Sequence, residues 1–336
     1  MCLTLPPSGI AGHVPAGAST VTSMSELPTT VLGRTGLVVT KLGYGAMELL
    51  GAPRGDGATE RADPSQILNS VLDAGINFID TSPDYGSSEE LIGAAISNRR
   101  DEFVLASKCG CPVNQPVSAS GQLPQHVYTP ENIRAGVEQS LQRMRTDHLD
   151  VVQIHMSPSR DELEQHGAID ALTQLQSEGK VRFIGMSGTL PNINDHLAMD
   201  VFDVFQIPYS ALEREHEDVI SRAADAGAGT IIRGGVARGA PDKPAPPLSE
   251  AAKPWRRVRH EAARRRLERW EGAGLDDLLD GATRTDFMLR FTIGHPNLHT
   301  TIVGTANPDH LAANVAAAIK GPLPPDVYEA AKKRLT

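Results

Sequence analysis

From residue 42 to residue 319 the chain repeats one alternation eight times: a short apolar run ending in a small or polar residue, then a longer stretch with helical spacing of its apolar residues. The short runs read as strands at residues 42–47, 77–81, 103–108, 149–155, 181–186, 204–208, 229–233 and 300–303. Helices are expected after them, at residues 63–75, 89–97, 129–144, 168–177, 192–198, 213–226, 285–293 and 308–319. A strand followed by a helix and then another strand makes parallel neighbours, and eight such units close most simply into a barrel. The competitor, an open doubly wound sheet, calls for a phosphate-binding glycine fingerprint after an early strand. Gly43-Tyr44-Gly45 lacks the third glycine in register. The expected fold class is therefore α/β, a (β/α)8 TIM barrel.

Local signals mark the edges of this pattern. Residues 30–39 read as an N-terminal β-hairpin turning at Arg34-Thr35-Gly36. Asp63 and Ser65 can open one helix that Gly75 closes, while Thr129, Pro130 and Asn132 make a strong start for another. Residues 1–24, rich in Pro, Gly, Ser and Ala without periodicity, are expected to form a disordered tail, with translation from Met24 an alternative. Residues 25–336 then form one barrel domain, interrupted after the seventh strand by a long insert at residues 240–281.

The composition sets outer bounds. With 40% hydrophobic and 22% charged residues and a net charge of −9, the chain reads as an ordinary acidic globular protein, and its charge argues against nucleic acid or anionic lipid as its main partner. No apolar stretch reaches the roughly 20 residues of a membrane span. Three cysteines cannot build a disulfide framework and fit a reducing compartment, so a cytoplasmic location is expected. Cys109-Gly110-Cys111 has no second ligand pair at metal-binding spacing, and no metal is expected there.

In a (β/α)8 barrel, chemistry belongs at the C-terminal ends of the strands. The second strand ends in Asp80, with Tyr85 in the loop beyond it. The third ends in Lys108 and the fourth in His155. Singly, each has a plain explanation: a helix cap, a packed ring, a solvated ammonium, a hydrogen-bonded core imidazole. Together, on three consecutive strands, they form a proton-donating device. Asp80 can hold Lys108 charged, a cationic Lys108 favours the phenolate of Tyr85, and His155 can orient a carbonyl or share the proton.

These residues, with the hairpin Leu32-Gly33-Arg34-Thr35-Gly36-Leu37, resemble the aldo-keto reductase family across nearly the whole chain. The resemblance implies a catalytic tetrad of Asp80, Tyr85, Lys108 and His155, and hydride transfer between a nicotinamide and a carbonyl. It also implies cofactor contacts. Gly45, Ala46 and Met47 end the glycine-rich first strand. Gly185-Met186-Ser187-Gly188 resembles the family's Gly-Val-Ser-Asn, keeping Ser187 but placing Gly188 where the family has Asn. Gln206 matches a further nicotinamide contact. Arg233, followed by Gly234, stands where many members carry a stacking aromatic, and its guanidinium can stack instead or form a salt bridge. Gly304, Thr305, His310 and Asn314 match the adenosine-binding segment, with a helix N-terminus suited to phosphate. Ala306 and Ala313 replace the Arg and Glu of many members. NADP(H) is the favoured cofactor and NAD(H) the second choice.

The implied activity is NAD(P)H-dependent reduction of an aldehyde, ketone or sugar-like carbonyl, or its reverse. The alternative is a non-catalytic cofactor-sensing or interaction subunit on the same fold. The insert carries Lys253, Arg256, Arg257, Arg259, Arg264, Arg265, Arg266 and Arg269. It reads either as a solvated helix held to the barrel by Trp255, Val258, Ala262 and Trp270, or as a lid whose cations meet the pyrophosphate. Residues 113–126 read as a loop over the active face that shapes the substrate pocket.

Overall fold

A computed structural model describes residues 26–49, 63–113, 125–236 and 254–336, without the side chains of residues 254–256 and 259. The described chain enters as an antiparallel hairpin, β1 (Thr29–Val31) and β2 (Val38–Thr40), joined by a tight turn at Gly33–Thr35. Eight strands follow: β3 (Leu42–Gly45), β4 (Phe78–Asp80), β5 (Val104–Cys109), β6 (Leu149–Ile154), β7 (Val181–Ser187), β8 (Val204–Pro208), β9 (Gly229–Arg233) and β10 (Thr300–Val303). Each pairs in parallel with its neighbours in the chain, and β10 returns to β3. The expected (β/α)8 barrel and its N-terminal hairpin both form.

Around it run α1 (Pro64–Asp73), α2 (Ser88–Ile96), α3 (Pro130–Met144), α4 (Arg160–His166), α5 (Ala168–Ser177), α6 (Ile193–Met199), α7 (Glu217–Asp225), α8 (Pro254–Gly272), α9 (Arg284–Ile293), α10 (Pro308–Ile319) and α11 (Pro325–Arg334). The predicted helix starts are built as the residues demand. Asp63 accepts the Ser65 N–H at 2.8 Å, and Thr129 accepts that of Asn132 at 3.4 Å with Pro130 in the first turn. Ile67, Leu68, Val71 and Leu72 form the buried stripe of α1.

The position of the site follows from strand geometry. Side chains alternate across a strand, so every second residue of a barrel strand points inward. Phe78, Val104, Ala106, Val151, Val204 and Ile231 make an apolar interior cluster, into which Leu32, Leu37 and Val39 of the hairpin pack. The hairpin thereby closes the N-terminal end. Gly33 permits this approach: its φ is +50°, and a Cβ there would come within 2.2 Å of the Gly229 nitrogen. Two residues further along each strand stand Asp80, Lys108, Gln153, Gln206 and Arg233. The inward column therefore turns polar at the C-terminal end.

Several boundaries differ from expectation. The first barrel strand stops at Gly45, and Ala46 and Met47 lie in a 3-10 turn over Ala46–Leu49. The helix expected from residue 213 begins at Glu217, because Ser210 and Glu213 pair backbone to backbone in a turn first. Both α4 and α11 were hidden by weak local pattern. Gly167, at φ +67°, separates α4 from α5, and α11 stacks Tyr328 on Phe291 with centroids 4.7 Å apart.

The insert is helical where described and is held by Trp270 as expected, but not by Val258. Val258 is 69% exposed, so it does not staple α8; Leu267 and Trp270 do, and Ala262 is half-buried. Trp270 meets Phe287 edge-on at 5.6 Å, and its indole N–H donates to Asp276 at 2.8 Å. The arginines are engaged locally. Arg264 and Arg265 pair with Glu261, Arg266 with Glu213, and Arg269 donates to the Leu212 and Leu335 carbonyls. The N-terminal 24 residues, Pro241, Pro244, Pro246, Pro247, Lys253, the side chains of Trp255, Arg256 and Arg259, and most of the 113–126 loop lie outside the described residues. No described helix is long and apolar enough to cross a membrane.

Candidate active site

Asp80, at the inward end of β4, is a buried carboxylate with three donors around it. One oxygen accepts Lys108 Nζ at 2.7 Å; the other accepts the side-chain amides of Gln153 and Gln206, each at 2.8 Å. Lys108 also donates to the Thr81 carbonyl at 2.8 Å. Its Nζ lies over the ring of half-buried Tyr85, 5.0 Å from the centroid. Burial works against the charge of Lys108, but Asp80 and then Tyr85 outweigh it, holding the ammonium above the usual lysine range. Lys108 is thus a fixed, buried cation beside a phenol.

His155 follows β6, and its ring meets that of Tyr85 edge-on at 6.4 Å. The four predicted side chains are therefore brought together, although Nδ1 of His155 faces a different set of groups. Asp84 Oδ2 lies 3.4 Å from it, Cys111 Sγ 3.5 Å and His126 Nε2 3.2 Å. Burial, countered in part by Asp84 and aided by the charge of Lys108, keeps His155 below the usual histidine range. Burial also raises Asp84, but the imidazoles of His126 and His155 outweigh it and hold the carboxylate well below its ordinary range. The Cys111 thiol is pushed up, chiefly by burial and then by Asp84.

The implied cofactor residues fall in two groups. At the first, Ser187 donates to Gln206 Oε1 at 3.1 Å, while the Gln206 amide donates to Asp80; both side chains are tied into the tetrad. Arg233 ends β9 opposite Pro208, followed by Gly234 at φ +76°. At the second, β10 meets β3. A Cβ on Gly304 would lie 2.5 Å from the Gly45 carbonyl oxygen, and the Tyr44 hydroxyl donates to the Thr305 carbonyl at 2.7 Å. Ala46 is buried and Met47 is exposed nearby. In α10 the N–H groups of Asp309 and His310 are already capped by Asn307, at 2.8 and 3.3 Å. A phosphate there would have to displace that cap or meet the exposed His310 side chain.

Polar groups near these strands are left unengaged among the described residues, Gln153 Oε1 and Thr300 Oγ1 included. Asn314 is only 6% exposed yet its side chain bonds to no described residue. Ser210 Oγ is buried without a hydrogen-bond partner. Such groups suit a ligand that carries hydrogen-bonding atoms along its length, as a dinucleotide does. Ser210, Gln153, Asp84 and His126 were missed in the sequence. Gln153 had a signal, since it sits one inward step before His155 on the same strand. The other three lie on loops, where no periodicity points to them.

With the geometry in place, comparison with known proteins is informative. The model of the Aldo/keto reductase family matches residues 41–335. The uncharacterized oxidoreductase YqkF of Bacillus subtilis (strain 168) is 27% identical over 293 residues, 85% of this chain and 90% of its own. The NADH-specific methylglyoxal reductase of Escherichia coli (strain K12) is 32% identical over 210 residues, 58% of this chain and 62% of its own. Among solved structures, the holo form of aldo-keto reductase AKR11C1 from Bacillus halodurans superposes with a TM-score of 0.75 at 26% identity, covering 93% of this chain and 97% of that one.

Proposed function

The chain belongs to the aldo/keto reductase family, and on that premise we propose that Tyr85 is the proton donor of its nicotinamide-dependent carbonyl reduction. The observation that carries this role is the buried Asp80–Lys108 pair with Lys108 Nζ over the Tyr85 ring. The bound cofactor supplies a hydride to the carbonyl carbon. The chain supplies the rest. Tyr85 gives its hydroxyl proton to the carbonyl oxygen, Lys108 stabilises the phenolate left behind, and Asp80 keeps Lys108 charged. Tyr85 then regains a proton from solvent, and the reverse sequence oxidises an alcohol. His155, beside Tyr85, orients the carbonyl.

Ser187, Gln206 and Arg233 hold the nicotinamide end of the cofactor in this reading, and Gly45, Ala46, Met47 and Gly234 line its path. Gly304, Thr305, His310 and Asn314 hold the adenosine end. The segment from Gly304 to Asn314 has no Lys or Arg, so a 2′-phosphate lacks a charge-assisted partner there. The family's NADP(H) habit is thereby weakened but not reversed, so NADP(H) stays the favoured cofactor and NAD(H) the second. The substrate is an aldehyde, ketone or sugar-like carbonyl. Residues 25–336, with the 240–281 insert, act as one unit, a reading supported by burial of Leu267 and Trp270.

Tyr85→Phe tests the acid. With a panel of aldehydes and ketones, kcat is expected to fall by about 10²–10⁴ while cofactor affinity is retained. Turnover that survives in the phenylalanine variant removes Tyr85 from the role. Tight cofactor binding without turnover on any carbonyl, in the parent itself, contradicts the enzymatic assignment.

A further inference from the structure

Four side chains beside the tetrad converge on one point. Asp84 Oδ2, Cys111 Sγ, His126 Nε2 and His155 Nδ1 all lie within 4.8 Å of one another. Five of the six separations are known: 3.1 Å from Asp84 to His126, 3.4 Å from Asp84 to His155, 3.2 Å between the imidazole nitrogens, and 3.6 and 3.5 Å from the sulfur to His126 and His155. A tetrahedral zinc ion with ordinary bond lengths sets edges of about 3.3 Å between nitrogen and oxygen ligands and about 3.5 Å from sulfur to nitrogen. The five known edges agree to about 0.2 Å, and the sixth, from the carboxylate to the sulfur, lies within 4.8 Å.

Hydrogen bonds alone serve this arrangement badly. Each ring nitrogen faces three other polar atoms but can present only one proton. Asp84 Oδ2 is buried and has no hydrogen-bond partner, despite its closeness to both imidazoles. Edges of 3.1 to 3.6 Å put the centre of the group about 2 Å from each atom, too close for a water molecule, whose hydrogen bonds need roughly 2.7 Å. A single cation satisfies all four lone pairs at once. One thiolate, one carboxylate and two neutral imidazoles also balance a divalent charge.

The geometry points to a zinc site made by Asp84, Cys111, His126 and His155. Its supports are in place around it. Gly110, at φ +90°, makes the turn that aims Cys111 inward, and a Cβ there would strike the Tyr128 ring at 2.5 Å. The Tyr128 hydroxyl holds the His155 carbonyl at 2.7 Å, and the Asn132 amide holds the carbonyls of Cys111 and Val127 at 3.2 and 2.8 Å. Such outer contacts orient metal ligands. The spacing argument against a metal at Cys109-Gly110-Cys111 considered ligands near in the chain; the fold supplies them from the segments after β4, β5 and β6.

The metal fastens three segments of the active face next to Tyr85. It also occupies Nδ1 of His155, which leaves that ring's proton on Nε2 and fixes one tautomer. This second consequence rests on the role given to His155 in the reaction; metal binding itself does not.

The test uses the full chain, stripped with a chelator and reloaded with zinc or cobalt(II). The expected result is one metal per chain, and zinc X-ray absorption showing one sulfur and three nitrogen or oxygen ligands. Cobalt should give intense tetrahedral bands with thiolate charge transfer. Cys111→Ser abolishes the charge transfer, and Cys111→Ser and His126→Gln each weaken zinc by about 100-fold or more, read by competition with a chelating dye. Circular dichroism confirms that the variants fold. Substoichiometric metal in the parent, a shell without sulfur or with several sulfurs, or affinity unchanged in both folded variants overturns the site. Because the absorption spectrum of the parent decides the ligand set, the outcome does not depend on variant folding or on turnover.

Discussion

Replacing Asp80 with asparagine keeps the shape of the side chain and removes its charge, which makes it the sharpest probe of the tetrad. The carboxylate accepts from Lys108 at 2.7 Å on one oxygen and from Gln153 and Gln206 at 2.8 Å on the other. Asparagine has one acceptor oxygen. Turned toward Lys108, its NH₂ can donate to Gln153, whose Oε1 has no partner among the described residues and whose amide can invert, but it still meets the donating amide of Gln206; turned toward the amides, it meets an ammonium. Gln206 cannot invert to help without losing its bond from Ser187. Breaking one side of a buried ion pair costs about 3–5 kcal/mol, within a total stability on the order of 5–15 kcal/mol. The variant therefore folds, with a melting temperature lower by on the order of 10 °C. Lys108 is 1% exposed, so burial drives it toward the neutral amine once the neighbouring charge is gone. A neutral amine no longer favours the Tyr85 phenolate. kcat should drop by about 10²–10⁴, equivalent to about 3–5 kcal/mol of barrier. Steady-state loss of nicotinamide absorbance gives kcat, and calorimetry gives the melting temperature. A variant with the parent's kcat and an unshifted melt refutes the argument that Asp80 holds Lys108 charged.

Other consequences are open to direct measurement. Trp270→Ala should cost about 3–5 kcal/mol in chemical denaturation, with one cooperative transition; loss of α8 alone in an early separate step would show that the insert is independent. Ala306→Arg should tighten NADPH by about 10–100-fold and leave NADH unchanged in fluorescence titrations, and a parent that binds NADH more tightly than NADPH overturns the cofactor assignment. Stability should fall in acid through His196, His295 and His299, whose folded values burial holds below the usual 6.5. His196 donates from Nε2 to the Pro158 carbonyl and has no partner at Nδ1, while His295 and His299 accept backbone N–H groups at Nδ1, so all three are built neutral. Above the unfolded value neither state is protonated and nothing changes. Below it the unfolded chain takes up protons that the folded chain refuses, at up to about 1.4 kcal/mol per ring and pH unit. Melting temperatures that stay flat from neutral pH down to the onset of carboxylate protonation would contradict this.

The barrel and the strand-end positions of Asp80, Lys108 and His155 were legible in the sequence because they depend on short-range periodicity, whereas Tyr85, in a loop, was singled out by its place after a strand end and by the family resemblance. Parallel strands with helical crossovers show themselves as apolar runs alternating with helical stripes. Once the barrel is granted, Asp80 and Lys108 take inward positions at strand ends by counting in twos, with His155 one such step beyond Gln153. The same count would have found Gln153, one step before His155, and the apolar layer beneath it. Weaker local signals misplaced details. Val258 fits an amphipathic stripe yet faces outward, because α8 is held by the expected Trp270 together with Leu267.

What only the tertiary structure decided is how side chains from different segments meet. The two amides that share Asp80 come from β6 and β8, and closure of the barrel makes them neighbours. Asp84, Cys111 and His126 lie outside the strands, on segments whose paths depend on features such as the left-handed Gly110 and the anchors Tyr128 and Asn132. Periodicity says which face of its own element a residue occupies. Convergence on one point across loops is set by the packing of those loops, and it is there that the fold adds a candidate metal centre to the proposed active site whose strand-end residues the sequence outlined.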